Sequence, residues 1–167
     1  EGVINDEDRT VIGNSIPRFT FGLNLGFEYK GFDFSCFFQG VGKADGYVTM
    51  EAIQPMGING ARKEHYKESF NPQDPKPGAY FPRILSSDYN YAYMSHWVQD
   101  ASYIRLKNLQ IGYSFKIKGL NQLRVYASGE NLFTATKYRT WDPETPVGAR
   151  GFYPNVAVYS MGVNLNF

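Results

Sequence analysis

Residues 18–29, RFTFGLNLGFEY, alternate without a break. Phe19, Phe21, Leu23, Leu25, Phe27 and Tyr29 share one face, and Thr20, Gly22, Asn24, Gly26 and Glu28 share the other. A period of two predicts a strand with one apolar face. Lys30-Gly31 then makes a tight turn, because glycine takes positive φ at little cost. The alternation resumes over 32–41, with Phe32, Phe34, Cys36 and Phe38 against Asp33, Ser35 and Gln39; Phe37 is the exception on the polar face. The stretch 18–41 is therefore a β-hairpin. Residues 102–116 predict a further strand. There Leu109, Ile111, Tyr113 and Phe115 oppose Asn108, Gln110, Gly112 and Ser114, while Ile104 and Leu106 sit in the opposite phase, as at a β-bulge or where a strand leaves an apolar layer. A turn near Lys118-Gly119 leads into a fourth strand, 123–133, with Leu123, Val125 and Ala127 on its apolar face. Together 102–133 form a second hairpin. A fifth strand occupies 156–167, where Tyr159, Met161, Val163, Leu165 and Phe167 alternate with small polar residues up to the last residue of the sequence.

The connections alternate between short (30–31 and 118–122) and long (42–101 and 134–155). Antiparallel strands joined by tight turns at one end and long loops at the other suit an outer-membrane barrel. Strands of about 10–12 residues are long enough to cross a bilayer at a tilt, whereas about 5–6 is usual in soluble sheets. The polar face carries mostly Gly, Asn, Ser, Thr and Gln, which suit a crowded wet lumen; the Phe, Leu, Ile and Val of the other face suit lipid. The competing reading is a water-soluble β-sandwich with its Phe residues in the core. The long segment 42–101 holds Pro55, Pro72, Pro75, Pro77 and Pro82, and 61–70 (ARKEHYKESF) could form a short helix. A connection of this length is usually functional or disordered. Residues 1–17 read as a polar loop, the interior of a longer protein rather than its start.

Composition adds limits. Aromatics reach 17% of the 167 residues, and the net charge of +1 gives no basic surface for nucleic acid. One cysteine, Cys36, excludes an internal disulfide.

Four segments carry a family resemblance: ASYIRLKNLQIGYSF (101–115), LRVYASGENLF (123–133), TKYRTWDPE (136–144) and the closing YSMGVNLNF. Together they resemble the C-terminal end of the SusC/RagA family, TonB-dependent outer-membrane transporters of Bacteroidetes. Residues 11–40 resemble that family's preceding hairpin; the long middle loop matches least. The resemblance implies an all-β, antiparallel transmembrane barrel of about 22 strands, of which this chain is the last five. It also implies an N-terminal plug, a segment that contacts TonB, and a SusD-like surface lipoprotein as a lid. Five strands cannot close such a barrel, so the remaining barrel and plug belong to the same transporter. Outer-membrane barrels commonly end in an aromatic residue that forms part of the barrel-insertion signal. Phe167 fits that role, with Leu165, Val163 and Met161 behind it on the lipid face. The loops 1–17, 42–101 and 134–155 are then extracellular and the two tight turns periplasmic.

Catalytic chemistry has little support. His65 and His96 both lie in the long loop, and no Cys or His sits near them at metal-ligand spacing. No G-x-S-x-G occurs. Cys36 reads as a small hydrophobe. Asp6, Glu7 and Asp8 read as a solvated loop, with calcium binding as the alternative. No enzyme activity, cofactor or metal is expected. Tyr89, Tyr91, Tyr93 and Trp97 in the first long loop, and Trp141 in the second, offer aromatic faces. These could stack on a sugar ring, contact the lid or pack within the loop. The expected function is import of an oligosaccharide or oligopeptide. The alternatives are a soluble carbohydrate-binding β-sandwich using the 86–97 aromatics, or an outer-membrane barrel enzyme, for which His96 is the sole candidate.

Overall fold

A computed structural model describes residues 5–48, 53–55, 62–84, 89–91, 94–145 and 153–167. Five long strands dominate it: β1 (Phe19–Tyr29), β2 (Phe32–Gly42), β5 (Tyr103–Phe115), β6 (Gln122–Thr136) and β7 (Val158–Asn166). Among the described residues, two short strands, β3 (Asp45–Tyr47) and β4 (Val98–Asp100), and the helix α1 (Lys63–Glu68) lie in the connection between β2 and β5. The long strands form one antiparallel sheet in the order β1-β2-β5-β6-β7. The register fixes the faces. Leu25 stands opposite Cys36, Cys36 opposite Leu109, and Phe34 opposite Ile111. Val125 stands opposite Tyr113 on one side and Val163 on the other. Directly paired residues point the same way, so these rows make one continuous apolar face. It is uncovered: Phe27, Ile111, Val125, Val163 and Leu165 are all exposed.

The phase break at Ile104 and Leu106 is a bulge. Phe37 pairs with Asn108 but Phe38 pairs with Leu106, so Lys107 is the extra residue on β5. One extra residue exchanges the two faces of a strand. Ile104 and Leu106 therefore rejoin Leu109 and Ile111 on the apolar face, and Arg105 turns to the polar one. The answering irregularity on β6 contains Asn131, which adopts φ of 52°. β6 runs on to Thr136, three residues past the expected end. Phe37 does sit on the polar face, paired with Asn24 and Asn108.

Tight turns close the end opposite the long connections. Lys30 and Gly31 have φ of 49° and 87°, the left-handed pair that a two-residue hairpin requires. A side chain at Gly31 would also press on the Ser114 carbonyl, whose residue donates its N–H to the Gly31 oxygen at 2.7 Å. β1 and β2 are 11 residues each, which at about 3.4 Å per residue and a tilt near 45° spans roughly 25 Å. Among the described residues β1 and β7 each have one strand neighbour.

The connection 42–101, expected to be irregular, is partly ordered. β3 pairs with β4, α1 forms within the stretch 61–70, and Val48, Ile53, Tyr91, Trp97, Ala101 and Tyr138 pack into a core. Tyr138 comes from the other long connection, so the two loops share one body, set at the end of the sheet opposite the tight turns.

Candidate functional site

The polar face of the sheet and the loop body beside it hold the groups that could meet a solute or a partner. Near the tight-turn end, Arg124 on β6 reaches across β5 to Asp33 on β2. Its Nε donates to Asp33 Oδ2 at 2.9 Å, and one Nη donates to the other carboxylate oxygen and to Gln110 Oε1 at 3.1 Å. The guanidinium also lies 4.9 Å from the Tyr126 ring centroid. The pair sits over Gly112, where any Cβ would collide with the carboxylate.

At the loop end of the same face the charges are more numerous and better shielded. Arg105 is 2% exposed. It donates to Asp142 Oδ2 at 2.7 Å, to Glu144 Oε2 at 2.8 Å and to Thr134 Oγ1 at 2.8 Å. Lys107, the bulge residue, lies 2.7 Å from Glu144. The Tyr103 hydroxyl and the Asn155 amide donate to Glu144 as well. Two cations thus meet two carboxylates with every oxygen engaged, the condition under which buried charge is tolerated. A cavity of about 390 Å³ adjoins this cluster, lined by Gln39, Val41, Tyr103, Lys107, Tyr138 and Glu144 among others. Sequence reading missed this cluster. Its traces were the phase break beside Lys107 and the two acids flanking Pro143 in TWDPETP.

The loop body is aromatic. Trp97 is fully buried and donates its indole N–H to the Asn90 carbonyl at 3.2 Å. Tyr91 stacks on Trp97 with centroids 6.4 Å apart, and burial raises its phenol pKa. Burial does the same to Tyr138, with the neighbouring Tyr80 adding to the effect. Trp141 packs at the edge of the core with the Arg62 guanidinium 5.2 Å above its ring. In this arrangement Tyr91 and Trp97 pack within the body, and Trp141 lies half-buried at its edge. Tyr93 and the side chain of Tyr89 lie outside the described residues. Arg139 ties the second loop to α1 through both Glu68 oxygens, at 3.0 and 2.8 Å. Asp100 is held below the usual carboxylate range by the hydroxyl and N–H of Ser102.

The remaining candidates are distributed. His65 is buried, accepts the Arg62 N–H at its Nδ1 and meets Phe81 edge to face at 4.6 Å. His96 bonds the Tyr80 carbonyl through Nε2 at 2.8 Å, with its ring against Tyr80 and Trp97. Among the described residues no three His, Cys, Asp or Glu gather closely enough to hold a metal ion. Asp8 accepts the Asn5 N–H in a short 3-10 turn, Asp6–Asp8. Met161, Val163 and Leu165 lie exposed on the apolar face, and Phe167, 83% exposed, follows directly after β7.

No protein-family model matches the chain. A TonB-dependent receptor of Formosa agariphila is 35% identical over 99% of the chain, and the match covers 18% of that receptor. The TonB-dependent receptor SusC of Bacteroides thetaiotaomicron is 26% identical over 99% of the chain and is covered over 17% of its length. Among solved structures, the RagAB peptide transporter superposes with a TM-score of 0.75 at 24% identity, over 93% of this chain and 18% of that one. The RagAB peptide importer in its closed-closed state gives 0.70 at 25% identity. The sheet has the fold of a segment of a TonB-dependent receptor's barrel. The chain is homologous to TonB-dependent receptors, SusC among them, and it spans less than a fifth of the length of the relatives it matches.

Proposed function

We propose that the chain is the closing, C-terminal part of the wall of an outer-membrane transporter that imports a nutrient with energy delivered through TonB. The observation that carries this reading is the uncovered apolar face running across all five strands, opposite a face of small polar residues and neutralised ion pairs. A water-soluble sandwich would lay a second sheet over that face. Lipid is the covering that needs none. β1 and β7 then pair with further strands of the same receptor, because open strand edges are not tolerated in hydrocarbon.

On this reading the segments 18–41, 102–133 and 156–167 cross the membrane. The stretches 1–17, 42–101 and 134–155 face the outside, and the turns at 30–31 and 118–122 face the periplasm. The plug and the TonB-contacting segment come from the rest of the receptor. The polar face, with Asn24, Glu28, Gln39, Asn108 and Gln110, lines the lumen around the plug. A SusD-like lipoprotein seats on the loop side, where Tyr89, Tyr93 and Trp141 are the aromatic candidates for lid or solute contact. The cargo is an oligosaccharide or an oligopeptide, and the protein performs no covalent chemistry on it. Phe167, with Leu165, Val163 and Met161, serves as the barrel-insertion signal.

The test is to extract native outer membranes in mild detergent, purify the assembly containing this sequence and identify every chain by mass spectrometry. Recovery with a plug-bearing barrel polypeptide and a lipoprotein is the expected result. A folded, detergent-free chain in the aqueous fraction would overturn it.

A further inference from the structure

The β6–β7 connection does not simply arch over the end of the sheet. After Tyr138 it turns back, and Asp142 and Glu144 descend onto the polar face to meet Arg105 and Lys107. Lys107 lies four residues along β5 from its loop end at Tyr103, about 13 Å measured along the strand. The stretch is stiff. Pro143 fixes one φ, the Glu144 N–H bonds Asp142 Oδ1 at 3.0 Å, and the Thr145 N–H bonds the Asp142 carbonyl at 2.9 Å. The bulge makes the receiving site. Without the extra residue the side chains of 105 and 107 would fall on one face and those of 104 and 106 on the other in the wrong phase. With it, both cations serve the polar face and the apolar face stays unbroken.

We infer that residues 141–145 form a strap latched inside the lumen, that Arg105 and Lys107 are its latch, and that the strap narrows the outer mouth by walling the 390 Å³ cavity. Arg105 is a positioning residue here: the three nitrogens of its planar fork hold Thr134, Glu144 and Asp142 separately, a span that the compact ammonium of lysine does not match. The inference uses the barrel reading only to name the polar face as lumen. Whether the latch holds the strap is measured independently of transport.

The experiment is hydrogen–deuterium exchange on the intact receptor purified from outer membranes. Arg105→Gln should lower the protection of the Glu144 and Thr145 amides by about tenfold or more, since charge-assisted bonds are lost and a local opening is favoured. Amides of Gln110 and Ile111 in the β5 ladder should keep their protection. Arg105→Lys should give an intermediate value, and Arg124→Gln should leave the strap unchanged. A bulky, membrane-impermeant maleimide should label Thr145→Cys on whole cells faster once Arg105 is replaced. Unchanged strap protection, unchanged labelling or equal loosening of strap and ladder would each overturn the latch. If Arg105→Gln does not assemble, Glu144→Ala removes the acceptor from the strap side and decides the matter by the same two readouts.

Discussion

Arg124 and Asp33 meet across an intervening strand, although 91 residues separate them in the chain. The contact exists because β5 carries glycine at the crossing point. Asp33 pairs with Gly112 on one side, and Arg124 pairs with Ser114 on the other. The two long side chains close over the gap that Gly112 leaves.

Gly112→Ala should therefore destabilise the receptor by about 1–3 kcal/mol, the usual cost of forcing atoms into a filled site. Heat-modifiable gel mobility of the purified receptor would report it as a lower Tm. In an Arg124→Met background the same substitution should cost less, since the guanidinium no longer competes for the space. Equal losses in both backgrounds would mean that the glycine serves the backbone alone.

The two faces of β5 should respond oppositely to charge. Ile111→Lys puts an ammonium on the exposed apolar face and should cost about 2–4 kcal/mol near the membrane midplane, whereas Asn108→Lys on the polar face, opposite Glu130, should be far milder. Denaturant unfolding of the receptor in lipid vesicles measures both. Similar losses would contradict the assignment of lipid to the apolar face.

Asp100 gives a pH dependence of known sign. Its folded pKa lies below the ordinary carboxylate value because Ser102 bonds the ionised form. The stabilisation is then present above the unfolded pKa and is lost as pH falls through the folded one. Ser102→Ala should weaken the loop body at neutral pH, and the difference from the natural protein should shrink on acidification. Limited proteolysis of the loops across an acid titration would follow it. A difference that grows toward low pH would reverse the assignment.

Phe167→Asp should reduce the amount of assembled receptor in the outer membrane several-fold if the terminal aromatic is read during insertion. The receptor that does insert should keep its unfolding temperature, because Phe167 lies beyond the last strand and is exposed. Unaltered abundance would remove Phe167 from that role.

Much of the wall was legible because a strand writes its two faces directly into the sequence. The alternation around Leu23, Ile111 and Val163 required no knowledge of neighbours. The phase break at Leu106 was legible as a break. What it accomplishes was not, since Lys107 gains its partner, Glu144, from 37 positions away. The Asp33–Arg124 contact depends on the register of three strands, which no local pattern encodes. The loop body was hidden for a related reason. Val48, Ile53, Trp97 and Tyr138 come from separate stretches without a common period, so even the aromatic run that ends at Trp97 does not show which distant residues it packs against.

That loop body has an evolutionary consequence. Its interior draws on two connections at once and is held together by the short β3–β4 ladder and the Arg139–Glu68 pair, while the strap reaches down to the wall. New shapes can accumulate there by insertion or substitution, while the hydrogen-bonded staves beside it keep their alignment. On the transporter reading, a lineage adapting to a new food source could revise the recognition surface and inherit the conduit intact.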